Sequence, residues 1–136
     1  LIKNPTNFGT TTIGTASTLK AMNALDFASG VSVASFTVDE LLTGGTSGAN
    51  AYVVQIDAGN GYVYFTQNSK TGYKPFTNGE TVTGGSSAFS GAIESSNGVL
   101  NPEVNRGSGE MLFLENRNPI NRSTTQIEDI KVIIEF

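Results

Sequence analysis

The sequence predicts an all-β fold, either an antiparallel β-sandwich or a small barrel built from hairpins, with C-terminal strands completing the sheet. Strong helix formers are scarce, whereas Val, Ile, Thr, Phe and Tyr, which suit the pleated surface of a sheet, are plentiful. Short apolar runs alternate with Gly- and Asn-containing turns, as in antiparallel sheets. With 136 residues, the chain is long enough for one domain, or for one domain that carries an inserted lobe.

The first thirty residues combine an extended start with one ambiguous apolar segment. Residues 1–16 contain a Pro and a Thr/Gly run, which indicates a loop. From Leu19 to Phe27 the apolar residues alternate as in a strand, but Leu19, Met22 and Leu25 could also line one side of a helix. The strand is the preferred interpretation, because the rest of the chain has β character.

An internal repeat with an offset of forty residues occupies the middle of the chain. Residues 36–45 return as residues 76–85, with the shared pattern Phe-Thr-x-x-Glu-x-(Leu/Val)-Thr-Gly-Gly. The tripeptide Ser-Gly-Ala follows each copy, at 47–49 and, shifted by three further residues, at 90–92. Each copy predicts an extended run, a Gly-Gly turn and a second strand, and two copies are too few for a solenoid.

The strongest hairpin signal lies between the two copies. Residues 52–56 and 62–65 are rich in Val and Tyr, and they flank the segment Asp57-Ala58-Gly59-Asn60-Gly61. Asn60-Gly61 tolerates the positive φ angles of tight hairpin turns. The pattern therefore predicts a hairpin that links the copies.

The repeat also predicts how the chain is divided. Two related hairpins can bury each other's apolar faces, so residues 31–94 are expected to form an inserted, repeat-containing β lobe. Residues 1–30 and 95–136 are expected to form the framework around it.

Two further strands are predicted near the C-terminal end of the sequence. Met111 to Leu114 is apolar at every position, which predicts a strand covered on both faces. From Ile130 to Phe136 apolar residues alternate with mostly polar ones, as in a strand with one buried face. The connection between them contains Pro119, which cannot continue a central strand.

Composition excludes several classes of function. The chain has no His and no Cys, which excludes a Ser-His-Asp triad, zinc sites built from these residues, and disulfides. A net charge of −4 argues against a nucleic-acid groove, and no apolar run is long enough for a membrane span. Residues 44–48 lack the Lys of a phosphate loop, and residues 57–61 lack the ligands of a calcium loop. We therefore expect no cofactor, no metal and no enzymatic activity.

Charged residues near the end of the chain are candidate contact residues. Glu110 and Glu115 flank the apolar segment, but on one strand their odd separation would place them on opposite faces, unlike a glycosidase pair. Their spacing is instead consistent with polar strand ends. The chain's arginines could form planar ion pairs with these carboxylates, within the protein or across an interface, or a solvated cluster; they are Arg106, Arg117 and Arg122.

Two tyrosines support a different class of function. Tyr62 and Tyr64 would lie on the same face of one strand and could stack on a sugar ring. Packing in the core or at an interface is the alternative role for such side chains. The alternative function is therefore a carbohydrate- or receptor-binding β module.

The C-terminal residues resemble a known structural family. Residues 108–111 read Ser-Gly-Glu-Met, residues 115–120 read Glu-Asn-Arg-Asn-Pro-Ile, and residues 126–130 follow Gln-x-Glu-x-Ile before the terminal Phe136. This stretch is similar, without gaps, to the C-terminal end of the baseplate wedge protein encoded by gene eight in contractile-tailed phages of the T-even type. Residues 1–5 resemble the Ile-x-Asn-Pro segment that lies upstream in that family.

The resemblance implies that the chain is the C-terminal part of a longer structural virion protein with a Gly/Thr-rich insertion. It would act in the baseplate of a contractile tail, after assembly in the host bacterial cytoplasm, through protein–protein contacts with other baseplate wedge subunits. The full-length subunit would be a homodimer, and no nucleic acid or membrane partner is expected. The residues expected to contact other subunits are Glu110, Glu115, Asn116, Arg117 and Arg122.

Overall fold

The computed structural model describes residues 1–115, and it confirms the all-β prediction. The only helical element among these residues is a 3₁₀ turn, Val33–Ser35. The strand predicted at 130–136 lies outside the described residues. The strands are β1 Ile2–Lys3, β2 Asn23–Asp26, β3 Leu41–Gly44, β4 Asn50–Asp57, β5 Tyr62–Thr66, β6 Thr81–Gly84, β7 Ser90–Ala92, β8 Val99–Leu100 and β9 Glu110–Met111.

Seven of these strands form one antiparallel sheet in the order β7-β6-β3-β4-β5-β2-β8, and β1 pairs with β9 in a second, two-stranded sheet. The larger sheet does not close into a barrel. It curls, however, because a bridge between Phe27 and Ile93 connects the chain after β2 to the chain after β7. The amide of Ala28 donates to the carbonyl of Ala92 at 2.9 Å on this bridge.

The strand preferred for the segment that begins at Leu19 is confirmed only over its second half. β2 contains Asn23–Asp26, and it lies between β5 and β8 in the sheet. Residues 19–22 of the predicted segment are not in a strand.

The predicted hairpin between the repeats is confirmed as β4 and β5. Asp57 pairs with Tyr62 at the end of the ladder, which leaves residues 58–61 as the loop. Within this loop only Gly61 has a positive φ, of 74°, so the left-handed conformation is needed at one position and not at both. The Asp57 carboxylate also accepts a hydrogen bond from the amide of Asn60 at 3.2 Å, which stabilises the turn.

A single hydrophobic core lies inside the curled sheet. Leu25 and Phe27, from the predicted framework, pack in the same cluster as the side chains of the predicted lobe. The Phe27 and Phe36 rings lie 5.1 Å apart between centroids, which joins the two parts directly. The predicted boundaries at residues 31 and 94 therefore separate neither two sheets nor two cores within the described residues, and the division into domains stays a prediction.

The two copies of the repeat are related by a local twofold arrangement. β3 and β6 pair antiparallel with Thr43 opposite Thr83, which are equivalent positions of the two copies. In the turn after β3, Gly44 donates its amide to the carbonyl of Ala49 at 2.8 Å; after β6, Gly84 donates to Phe89 at 2.9 Å. The offset of forty therefore continues through the turns.

This relationship corrects the sequence alignment of the Ser-Gly-Ala tripeptides. Ala49 is equivalent to Phe89, and the tripeptide at 90–92 is strand β7, one step further along the chain. The proposed shift by three residues is wrong, because it matched residue types, whereas the hydrogen bonds follow the constant offset.

Glu40 and Glu80 occupy the same position in the two copies of the repeat, and both are buried at the centre of this arrangement. We call them the reciprocal glutamates. The Glu40 carboxylate accepts hydrogen bonds from the amide of Thr37 in its own copy, at 2.7 Å, and from the amides of Ser86 and Ser87 in the other copy, at 3.2 and 2.9 Å.

Glu80 makes the equivalent contacts in the opposite direction. Its carboxylate accepts hydrogen bonds from the amide of Thr77 at 2.7 Å and from the amides of Thr46 and Ser47 at 2.9 and 2.8 Å. The hydroxyl of Ser47 adds a further hydrogen bond at 2.7 Å. Each glutamate therefore holds the turn of the other copy, and together they lock the β3–β6 pairing.

Candidate contact surface and the cavities around Arg106

The two-stranded sheet holds the first residues of the chain against residues 110–113. Ile2 lies opposite Met111 and Lys3 lies opposite Glu110 in an antiparallel ladder. The amide of Leu112 extends this pairing by donating to the carbonyl of Leu1 at 3.0 Å. We call this two-stranded sheet, with residues 112–114, the terminal ribbon.

The terminal ribbon exposes its apolar side chains, and the prediction of a strand covered on both faces at 111–114 is wrong. These side chains are between 51% and 74% exposed, and only Glu110–Met111 belongs to the strand. The reason is that β9 pairs only with β1 among the described strands, so no layer formed by residues 1–115 covers it. The exposed apolar residues of the ribbon are Leu1, Ile2, Met111, Leu112, Phe113 and Leu114.

The predicted contact residues are only partly within the described structure. Glu110 lies on the ribbon, is exposed, and faces Lys3 across the ladder. Glu115 is the last described residue and follows the apolar segment directly. Three other predicted contact residues lie outside the described range: Asn116, Arg117 and Arg122.

The structure places the predicted sugar-stacking tyrosines on one strand but not in a stacking arrangement. The ring centroids of Tyr62 and Tyr64 lie 6.5 Å apart with an interplanar angle of 88°, so an edge meets a face. Tyr64 is only 5% exposed. The Lys20 ammonium lies 4.3 Å from the centre of its ring. A sugar ring needs an exposed aromatic face, and the pair does not provide two such faces side by side.

Lys20 instead joins these residues in a small polar cluster. Its ammonium donates to the Tyr64 hydroxyl at 2.6 Å and lies 3.8 Å from the Asp57 carboxylate. The hydrogen bond to Tyr64 raises the pKa of Lys20, and desolvation opposes that change. The pKa of Asp57 is lowered, first by the hydrogen bond from the Asn60 side chain. Lys20 and Asp57 therefore both stay charged at neutral pH.

Arg106, which the sequence groups with the C-terminal arginines, lies in the loop between β8 and β9, and its side chain contacts the chain at the start of β2. Its Nε donates to the carbonyl of Ala21 at 2.7 Å, and an η-nitrogen donates to the side-chain oxygen of Asn23. Arg106 borders three adjoining cavities of about 300, 330 and 400 Å³. No local sequence signal identifies this position, because its neighbours are more than eighty residues away in the chain.

Residues 1–115 hold no group of three or more acidic residues that could bind a metal ion. They also contain no helix with the length and hydrophobicity of a transmembrane span.

Comparisons of the chain with known protein families, with curated proteins and with solved structures find no match. The likeness to the wedge protein therefore stays an expectation from the sequence.

Proposed function

We propose that this chain is a structural component of a phage virion, part of a baseplate wedge subunit in a contractile tail, that acts through protein–protein contacts. The sequence resemblance of residues 108–136 supports this role. The structural observation that carries the proposal is the terminal ribbon, which presents exposed apolar side chains on a backbone held by strand pairing.

The composition of the ribbon favours an interface. Soluble proteins that remain monomeric rarely expose contiguous apolar patches larger than roughly a few hundred Å², whereas the buried centres of interfaces are enriched in Phe and Met. Met111 and Phe113, which are separated by Leu112, are 65% and 56% exposed. A wedge partner would bury these two side chains at the centre of the contact.

The charges beside the apolar side chains fit the edge of such an interface. Glu110 and Lys3 are exposed and face each other across the ladder. Polar groups at the rim of an interface add specificity and accelerate association more than they add affinity. Because the backbone of the ribbon is already ordered by its hydrogen bonds, little conformational entropy would be lost on binding.

The localisation can be tested on virions of a phage whose genome encodes this chain. Mass spectrometry of purified virions should detect the protein, and antibodies against it should label the baseplate in electron micrographs. A virion that lacks the protein, or labelling confined to the head or the fibre tips, would contradict the proposal.

The contact surface can be tested by substitution in the full-length gene. Met111→Ser with Phe113→Ser should leave the folded protein stable, because both side chains are exposed, but should reduce its incorporation into baseplates. Val38→Ser is a matched control, since Val38 is also an exposed apolar residue but lies in the loop before β3. Equal incorporation of the double variant and the control would exclude the ribbon as the contact.

A further inference from the structure

We propose that the cavity between Arg106 and Tyr73 binds an acidic sugar, namely a pyranose ring that carries a carboxylate. This inference does not depend on the proposed role in the baseplate. The cavity has a volume of about 300 Å³ and is lined by Ala21, Met22, Asn23, Phe65, Thr66, Gln67, Tyr73 and Arg106. Pockets for small ligands have volumes of roughly 300–1,000 Å³, so this one fits a single ring or the end of a chain.

The walls of the cavity come from two paired strands and the loop that follows them. Asn23 and Phe65 are opposite each other in the β2–β5 ladder. After β5 the chain forms a loop in which the Asn68 amide donates to the Thr71 hydroxyl at 2.8 Å, and the Thr71 amide donates to the Asn68 side chain at 3.2 Å. These bonds fix the loop that carries Tyr73, so the site is preorganised.

Arg106 gives the cavity a positive charge in a fixed orientation. Its two hydrogen bonds, to Ala21 and Asn23, use two of the five N–H groups of a guanidinium. The ion pair found within residues 1–115 joins Lys20 to Asp57. No carboxylate of these residues therefore lies within 4.0 Å of the Arg106 guanidinium. A guanidinium with free N–H groups binds carboxylates in a planar, two-bond geometry.

Two side-chain amides provide groups that match sugar hydroxyls. Gln67 donates through Nε2 to the carbonyls of Asn50 and Lys74, at 3.0 and 2.8 Å. This orientation leaves its Oε1 as an acceptor, with no hydrogen bond to any described residue. Asn23 accepts from Arg106 through its oxygen, which leaves its amide nitrogen as a donor. A hydroxyl group both donates and accepts, so it can use this pair.

Tyr73 supplies the aromatic surface. Its side chain is 73% exposed, although it borders the cavity. An exposed tyrosine combines a flat apolar face with a polar hydroxyl, and the C–H face of a pyranose packs against such a ring. The carboxylate of an acidic peptide could also pair with Arg106, and the probe N-acetylglutamate below tests that alternative.

The test is a titration of the ¹⁵N-labelled chain, followed by nuclear magnetic resonance, with glucuronic acid, glucose and N-acetylglutamate as probes. We expect saturable shifts at Asn23, Gln67 and Tyr73 with glucuronic acid. Glucose should bind at least about tenfold more weakly, because it lacks the charge-assisted hydrogen bonds to Arg106. N-acetylglutamate, which has the carboxylate but no sugar ring, should also bind more weakly.

Variants separate the contributions of charge and ring. Arg106→Gln should abolish the preference for glucuronic acid over glucose, and Tyr73→Ala should weaken the binding of both sugars. Lys70→Gln is the matched control, because it removes one positive charge from an exposed loop position outside the cavity. If Arg106→Gln does not fold, added salt provides the same information, since it should weaken glucuronic acid binding and leave glucose binding unchanged.

Three results would overturn the assignment. One is the absence of saturable shifts with glucuronic acid. A second is equal affinity for glucuronic acid and glucose. The third is binding of N-acetylglutamate that is as tight as that of glucuronic acid and is unaffected by Tyr73→Ala, which would indicate a carboxylate or peptide site instead.

Discussion

Glu40 and Glu80 each hold the turn of the other repeat: Glu40 accepts from the amides of Ser86 and Ser87, and Glu80 accepts from those of Thr46 and Ser47. Each glutamate thus replaces the water that the turn amides would otherwise bind. A buried carboxylate is tolerated when it accepts several hydrogen bonds. Because each glutamate binds the turn of the other copy, the stability of each turn depends on both copies of the repeat.

The reciprocal glutamates should make the chain sensitive to acid. Burial alone raises the pKa of Glu40, but the hydrogen bonds from the amides of Ser87 and Thr37 and from the Ser87 hydroxyl together lower it below its ordinary value of 4.5. The pKa of Glu80 is lowered in the same way, with burial opposed by hydrogen bonds from Ser47, Thr77 and Thr46. At pH values between their folded and unfolded pKa values, the two glutamates therefore bind fewer protons in the folded chain than in the unfolded chain.

The sign of the pH dependence follows from those lowered pKa values. The stabilisation is fully present above the unfolded value and is lost as the pH falls through the folded values. Urea denaturation should thus show the free energy of unfolding decreasing from about pH 5 downward. Glu40→Gln should reduce this free energy at pH 7 by about 1–3 kcal/mol, because an amide cannot accept all of these hydrogen bonds.

A matched control is Glu110→Gln, which removes a carboxylate from an exposed position on the terminal ribbon. It should change the free energy of unfolding of the isolated chain at pH 7 by no more than about 0.5 kcal/mol, because the position is exposed. A Glu40→Gln variant with the same acid response as the original chain would show that the reciprocal glutamates do not control it.

Local signals in the sequence predict much of the sheet. The β4–β5 hairpin is predicted because Asn60-Gly61 and the flanking strands lie within a few residues of each other. The repeat at 36–45 and 76–85 is likewise visible as a pattern. The contacts that the repeat makes in the fold are not visible in the sequence, because the hydrogen bond between Ser87 and Glu40 spans 47 residues and depends on the β3–β6 pairing.

The features that the sequence did not predict also depend on contacts between residues that lie far apart in the chain. An apolar run such as 111–114 is predicted to be buried from its composition, but burial requires a second layer, and the sequence does not show whether one is present. Arg106 similarly has its nearest partners, Ala21 and Asn23, more than eighty residues away. The cavity beside it is formed by long-range packing and could not be predicted from spacing.

The shared core predicts that the framework and the repeat lobe unfold together. Leu25, from the predicted framework, is fully buried in the cluster that the lobe supplies. Leu25→Ala should lower the free energy of unfolding by about 2–5 kcal/mol through lost contacts and a cavity. Denaturation followed by both circular dichroism and tyrosine fluorescence should show one transition.

Leu19→Ala is the control for this substitution, because Leu19 lies in the same segment but is half exposed. Its effect should be within about 0.5 kcal/mol. Two separate transitions, with Leu25→Ala shifting only one of them, would instead support an independent lobe at residues 31–94.

The partial burial of Asp26 beside Glu94 predicts a stabilising substitution. Desolvation raises the pKa of Asp26, and the nearby charge of Glu94 raises it further. A raised pKa in the folded state means that the charged form is disfavoured there, so the cost is present at neutral pH and disappears in acid. Asp26→Asn should stabilise the chain at pH 7 by roughly 0.2–1 kcal/mol, the range for cross-strand charge pairs.

This effect should vanish below pH 3.8, the ordinary value for the carboxyl, since Asp26 is then protonated in both states. Asp39→Asn, at an exposed position, serves as the charge-matched control. A loss of stability in Asp26→Asn at pH 7 would mean that the carboxylate makes a favourable contact that outweighs the repulsion.

The glycines at the ends of β3 and β6 are predicted to be required by the reciprocal glutamates. A Cβ atom at Gly84 would lie against the Ser87 hydroxyl and 2.5 Å from Oε2 of Glu40. One at Gly44 would lie 2.5 Å from the Ser47 hydroxyl and 2.8 Å from both carboxylate oxygens of Glu80. These distances are shorter than van der Waals contact, and the carboxylates are held by several hydrogen bonds. Gly84→Ala should therefore cost about 1–3 kcal/mol of stability, as overpacking in a core does.

Two comparisons make this prediction specific to the contact. Gly59→Ala adds a methyl group whose nearest neighbour is 3.6 Å away, an ordinary contact, so its effect should be within about 0.5 kcal/mol. The double variant Gly84→Ala with Glu40→Gln should cost less than the sum of the two single changes, because both disrupt one set of hydrogen bonds. Strictly additive costs, measured by urea denaturation, would show that the glycine and the glutamate act independently.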